Sequence, residues 1–177
     1  MAGVFGSILG SLVGSQFSIG ELMNIDSGRQ ERSASCVVSL VKTYHEIKKE
    51  SVLDKFKSAL LGKTLVNTYY VIFKFKVTSG SGKSYTVILR TNPDFDLKDW
   101  ENNKVQVYCD CPDFKYRSAY ILNRRKSLFL NDKIKTFLGE ALSDAPKSKS
   151  STSLLCKHSF AALQWLVNNY SSVMRTI

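Results

Sequence analysis

Cys109, Cys111, Cys156 and His158 are the residues of this chain whose types and spacing could do chemistry together. They form a Cys-x-Cys pair, then 44 intervening residues, then a Cys-x-His pair. Thiolate and imidazole are the preferred ligands of zinc, which takes four of them in a tetrahedron. Side chains one residue apart face the same way along a strand and diverge where the strand ends. Pro112, directly after Cys111, forces that change of direction. Two further ligands at the start of a helix project from one turn. A metal held by all four would clamp a strand end to a helix start. Four protein ligands leave no position for an activated water, so one structural zinc ion is expected. Two other readings stand beside it: unliganded buried thiols, and a disulfide among an even number of cysteines. Cys36, the remaining thiol, reads as a plain buried side chain.

Other chemical groupings fail on spacing. His45-Glu46 could begin a helix-borne zinc site, but Lys49 stands where the second histidine should be. Gly82-Lys83-Ser84 resembles the end of a phosphate-binding loop, yet Val77 occupies the position of its first glycine and a strand follows. A Cys156–His158 nucleophile pair would leave Cys109 and Cys111 unexplained. The zinc deaminase signature does not occur. Asp110 and Asp113 flank the cysteine pair without an evident acid–base partner. The chain reads as a binding module, not an enzyme.

The elements that must position these residues follow from periodicity. From Thr64 the pattern has period two and is rich in β-branched and aromatic residues; a Ser-Gly-Ser-Gly turn at 79–82 separates two strands. Lys104 to Cys111 forms a third strand ending in the cysteine pair. Pro112 opens a helix on which Phe114, Ser118, Ile121, Leu122 and Arg125 share a side, and a short helix follows from Asn131 to Leu142. Residues 144–153 are low-complexity loop. Phe160, Leu163, Leu166, Val167 and Tyr170 mark a C-terminal helix whose first turn lies near Cys156 and His158. Upstream, Val37, Leu40, Val41, Tyr44 and Ile47 follow helical spacing, continued by Val52, Leu53, Phe56 and Leu60. One or two amphipathic helices are expected there, capped by Ser33 or Ser35 and stopped by Gly62. Gly6, Gly10 and Gly14 recur every four residues, each followed by serine. This predicts either a mobile tail or an arm whose smooth glycine face orders against a partner chain.

The expected fold is α+β: an N-terminal arm over 1–33, then a single domain over 34–177. That domain holds a helix, a three-stranded antiparallel meander and zinc-clamped C-terminal helices. With 44% hydrophobic and 23% charged residues the chain can bury a real core. No stretch approaches the length of a membrane-spanning helix, and the N-terminus does not read as a secretory signal. The net charge of +10 suits an anionic partner. It concentrates after residue 111, where eleven basic side chains face four acidic ones. Arg117, Arg124, Arg125 and Lys126, interleaved with Phe114, Tyr116 and Tyr120, are candidates for contact with phosphate or an acidic surface.

The Cys-x-Cys and Cys-x-His pairs, on a hairpin strand and a helix start, resemble the SWIM zinc finger. The spacer here is longer than that family's usual range. The wording CDCPDFKYRSAYILNRR, followed later by LCKH and an apolar helix, is similar to SWIM-type virion-associated proteins of tailed bacteriophages. The resemblance implies a structural zinc protein of a particle, assembled in the host cytoplasm, whose partners are other protein chains. The alternative it implies is a SWIM-type nucleic-acid-binding factor that contacts DNA.

Overall fold

The computed structural model describes residues 16–47, 69–91, 99–143 and 154–175. Its centre is an antiparallel meander of four strands in the order β1 (Val37–Ile47), β2 (Tyr69–Thr78), β3 (Ser84–Thr91) and β4 (Val105–Cys109). Before the sheet come α1 (Ile19–Ile25) and α2 (Gln30–Ser33), joined by a 3-10 turn at Ser27–Arg29. After it, a π-helical turn at Phe114–Ser118 leads into α3 (Ala119–Arg124), followed by α4 (Asp132–Leu138) and α5 (Lys157–Met174). The expected α+β class holds, with one more strand than expected. Among the described residues no helix is long and apolar enough to cross a membrane.

Alternation along the strands decides where the core sits. Phe73, Phe75 and Val77 of β2 share a face with Val87 and Leu89 of β3 and with Val107 and Cys109 of β4, and all are fully buried. The C-terminal helix α5 covers that face. Trp165 meets the Phe75 ring edge-on at 5.5 Å between centroids, and Tyr170 meets Phe73 at 6.0 Å. Such contacts add roughly 0.5–1.5 kcal/mol each to the burial of the rings. The β2–β3 turn falls at 79–82 as expected. The Ser79 amide donates to the Lys83 carbonyl, and Gly82 takes the left-handed conformation, at φ +80°, that the turn requires.

Two expectations are corrected. The segment from Val37, read as an amphipathic helix, is the edge strand β1. Cys36, Val38 and Leu40 alternate inward as a strand should. A bulge between Leu40 and Lys42 then inserts Val41 as an extra residue, and the pairing resumes at Lys42↔Lys74. The stripe read as helical mixes both faces of the strand: Leu40 faces the core, whereas Val37, Val41 and Ile47 are exposed. The continuation through Val52 to Gly62 lies outside the described residues.

The second correction concerns the arm. Residues 16–33 belong to the domain, because Phe17, Ile19 and Leu22 are buried in the common core. Ser18 and Glu21 form a reciprocal capping box at the start of α1. The Ile19 amide donates to the Asn103 carbonyl, and the Val105 amide to that of Phe17, so this segment lies along the open edge of β4. Gly6, Gly10 and Gly14 lie outside the described residues.

The helix expected from Pro112 also ends early, at Arg124. Ser127 donates its amide to Leu122 and Lys126 donates to Asn123, which closes a Schellman turn. Lys126 sits at the left-handed position with φ +54°, where glycine is usual. The turn sends Ser127–Phe129 back along β4, where the Val107 amide donates to the Ser127 carbonyl and the Phe129 amide donates to the Val107 carbonyl. Lys126→Gly should therefore leave the fold intact and raise stability by up to about 1 kcal/mol, the left-handed penalty less the added freedom of the unfolded chain. Urea denaturation checks this; a lower midpoint would show that the lysine is not strained there.

Candidate metal centre

The four sequence-selected ligands converge. Cys109, Cys111, Cys156 and His158 are all buried, and their ligand atoms lie within 4.8 Å of one another. Ligands about 2.3 Å from a common centre are roughly 3.8 Å apart at tetrahedral angles, so the widest pair has about an ångström to close around a metal. All four cysteines are free thiols, with no disulfide between them. Cys36 lies outside the cluster, half-buried against the core.

Local structure explains the convergence. Cys109 pairs with Val87 and faces α5. The Asp110 amide donates to Thr86, and the Asp110 carboxylate accepts the Thr86 amide at 2.8 Å, so β3 holds the intervening residue and leaves Cys111 turned inward. Each of the two helical ends then offers an amide to a sulfur: Phe114 N to Cys111 Sγ at 3.4 Å, and Ser159 N to Cys156 Sγ at 3.4 Å. Cys156 is the N-cap of α5, so its sulfur stands in the positive field of that helix. The His158 ring lies against Tyr85, 4.4 Å between centroids. Both of its ring nitrogens are buried without a hydrogen-bond partner. A buried imidazole in that state lacks something, and a metal ion supplies a partner for one nitrogen.

The electrostatics of the cluster point the same way. Burial raises the Cys109 thiol well above its ordinary range, and the neighbouring sulfurs add to the effect. The Cys109 thiol tends to lower Cys111, but Cys156 and burial outweigh it and push Cys111 up to about 12. Burial also opposes ionisation of Cys156, yet the thiols of Cys109 and Cys111 bonded to its sulfur hold it well below the usual thiol value. Without a metal, then, Cys156 is the first of the three to ionise, and a thiolate there is shared by its two neighbours. Ionising all three would cost about 4 kcal/mol per like-charged pair 4 Å apart at an effective dielectric of 20.

Two ties from the N-terminal segment brace the ligand pairs, and sequence reasoning missed both. The buried Asp26 carboxylate accepts the backbone amide of Leu155, the residue before Cys156. Arg29 reaches Asp113, two residues beyond Cys111, at 3.8 Å. The Ser18–Glu21 capping signature was the available hint that this segment is ordered.

The basic candidates are not gathered into one surface. Arg125 is buried, with its guanidinium over the Phe17 ring at 4.4 Å, and so is unavailable as a surface contact. Arg117 pairs with Asp113 at 3.0 Å. Arg124 donates to the Tyr120 hydroxyl at 3.1 Å and is exposed, as is Lys126. Phe114 is fully buried.

The fold and site define the class: an α+β domain whose strand end and helix start bury a Cys3His cluster able to hold a metal ion. No protein family, curated protein or solved structure matches the chain.

The protons and the braces each have a measurable consequence. A metal must displace the protons of Cys109 and Cys111, so affinity falls as pH falls. Between neutrality and pH 9 it should change by about 100-fold per pH unit, two protons per ion, in a competition titration with cobalt(II). A slope of zero or one proton would disprove the shared-thiolate state. Asp26→Ala should weaken metal binding by about 10- to 100-fold in the same titration, as removal of an outer supporting group does. Unchanged affinity would remove the N-terminal segment from the support of the site.

Proposed function

We propose that this chain is a zinc-stabilised binding protein without catalytic activity, serving as a structural subunit of a bacteriophage particle. The observation that carries the zinc assignment is the closed, buried set of three sulfurs and one imidazole. Such a set suits zinc over magnesium or calcium, which take oxygen ligands. A single four-residue cluster also suits a lone ion. With every position filled by protein there is no place for substrate or activated water, so the ion serves folding. Zinc would join β4 to α5, and therefore the sheet to the helix that covers it.

The particle role rests on the resemblance of the cysteine-bearing segments to SWIM-type virion proteins, and on the glycine-patterned segment at Gly6, Gly10 and Gly14, which suits contact with another chain. The competing reading, a SWIM-type nucleic-acid-binding factor, is favoured by the net charge of +10. Arg117, Arg124 and Lys126 remain its candidate contacts from the region after the cysteine pair.

Elemental analysis and native mass of the purified protein test both halves. One zinc per chain is expected, and Cys156→Ser should lose most of it together with cooperative unfolding of the sheet and α5. Iron or copper in its place, or full zinc content in the variant, would refute the metal assignment. A chain that stays monomeric at high concentration and binds no particle protein would refute the assembly role while leaving the zinc intact.

A further inference from the structure

The outer face of the β1–β2 ladder carries a group of cations that the metal centre does not use. Lys42 of β1 stands directly opposite Lys74 of β2, and Lys76 stands two residues along on the same face, opposite Ser39. All three lysines are exposed. Thr86 of β3 lies opposite Lys76 and adds a half-buried hydroxyl side chain to the platform. Among the described residues no carboxylate pairs with any of the three. The two acids of this face are already engaged: Glu46 with Arg90 at 2.9 Å, and Asp110 with the Thr86 amide.

Like charges directly across a ladder destabilise it. Lysine on an edge strand has an ordinary use, since it discourages pairing with a second sheet. That use covers Lys42 alone, because β2 lies between β1 and β3 and has no open edge. Lys74 and Lys76 are the outward positions between Phe73, Phe75 and Val77, where any polar residue would serve, and with Lys42 they set three ammonium groups on one face. A pleated face of ammonium and hydroxyl groups offers charge and hydrogen bonds; the Tyr44 ring beside it is half-buried under Lys42 at 5.7 Å, and the Arg90 guanidinium is held by Glu46, so neither is free to read a base. That chemistry fits a phosphodiester backbone, which is bound by lysine and hydroxyl groups without regard to sequence.

We infer that the Lys42–Lys74–Lys76 face is a sequence-independent contact for the phosphate backbone of duplex nucleic acid. The inference uses only the sheet and stands apart from both the zinc and the particle role.

The test is binding of a labelled duplex DNA of arbitrary sequence to the metal-loaded full chain, across a range of salt concentrations. The triple variant Lys42→Gln, Lys74→Gln, Lys76→Gln should keep its metal and its unfolding midpoint. Its log K against log salt should flatten by about 2.7, roughly 0.9 for each phosphate the protein no longer neutralises. A control variant with Lys104, Lys133 and Lys135 changed to Gln removes equal charge elsewhere and should flatten the slope by much less. An equal effect in the control, an unchanged slope in the first variant, or no binding at low salt each overturns the inference. So does poly-glutamate competing as well as DNA at equal charge, which would assign the face to an acidic protein.

Discussion

Three sulfurs and an imidazole buried within one small volume cannot all take their metal-binding forms unless a cation joins them. This constraint organises the molecule. Mutual repulsion and burial keep two of the thiols protonated, and the His158 nitrogens are left without partners. The polypeptide nevertheless holds the four groups together, through the Asp110–Thr86 ladder extension on one side and the α5 N-cap on the other. The fold thus builds a site whose metal-free state is unfavourable. The binding energy of an ion held there would be folding energy, delivered where strand and helix meet.

The covering helix depends on that junction. Its ring contacts to Phe73 and Phe75 lie along the middle and far end of α5, while its first turn carries no acidic residue, is capped by Cys156 and buries His158 and Phe160. The N-terminal segment closes the remaining side. It lies along β4, holds Leu155 through Asp26 and holds Asp113 through Arg29. Ligand pairs separated by 44 intervening residues are thereby tied to one short stretch of chain, so the site has support from a part of the sequence that contains no ligand.

How much of this was legible depended on whether a signal was local. The ligand set could be read because residue type and spacing suffice: cysteine and histidine are rare, and pairs one residue apart report a strand end or a helix start. The β2–β3 hairpin and α5 could be read because their periods of two and 3.6 are unbroken. Strand β1 could not, since it exposes apolar Val37, Val41 and Ile47 alongside inward Leu40, which breaks the apolar–polar alternation that marks a strand. The packing of residues 16–33 was hidden differently. Their anchors, Phe17, Ile19 and Leu22, are few and sit beside glycine- and serine-rich sequence, and what they contact is distant in the chain. The end of α3 was obscured because Lys126 stands where glycine would have announced the turn.

The cations show why a charge count alone misleads. Several arginines are engaged by rings or carboxylates, whereas Lys42, Lys74 and Lys76 are exposed with no carboxylate partner among the described residues. Arg125 covers Phe17, Arg90 lies over Tyr70 at 4.4 Å while pairing with Glu46, and both Arg29 and Arg117 are drawn to Asp113. A planar, weakly hydrated guanidinium can stack on a ring and fork onto a carboxylate, so it is suited to half-buried positions. An ammonium holds its water more tightly and stays at the surface. The basic run after Cys111 looked like a single partner surface in the sequence, but Arg125 is buried over Phe17 and Arg117 is paired with Asp113. A further group of exposed lysines, without carboxylate partners among the described residues, lies on the β1–β2 ladder. Location of cations relative to acids, not their number along the chain, decides which face an anionic partner would meet.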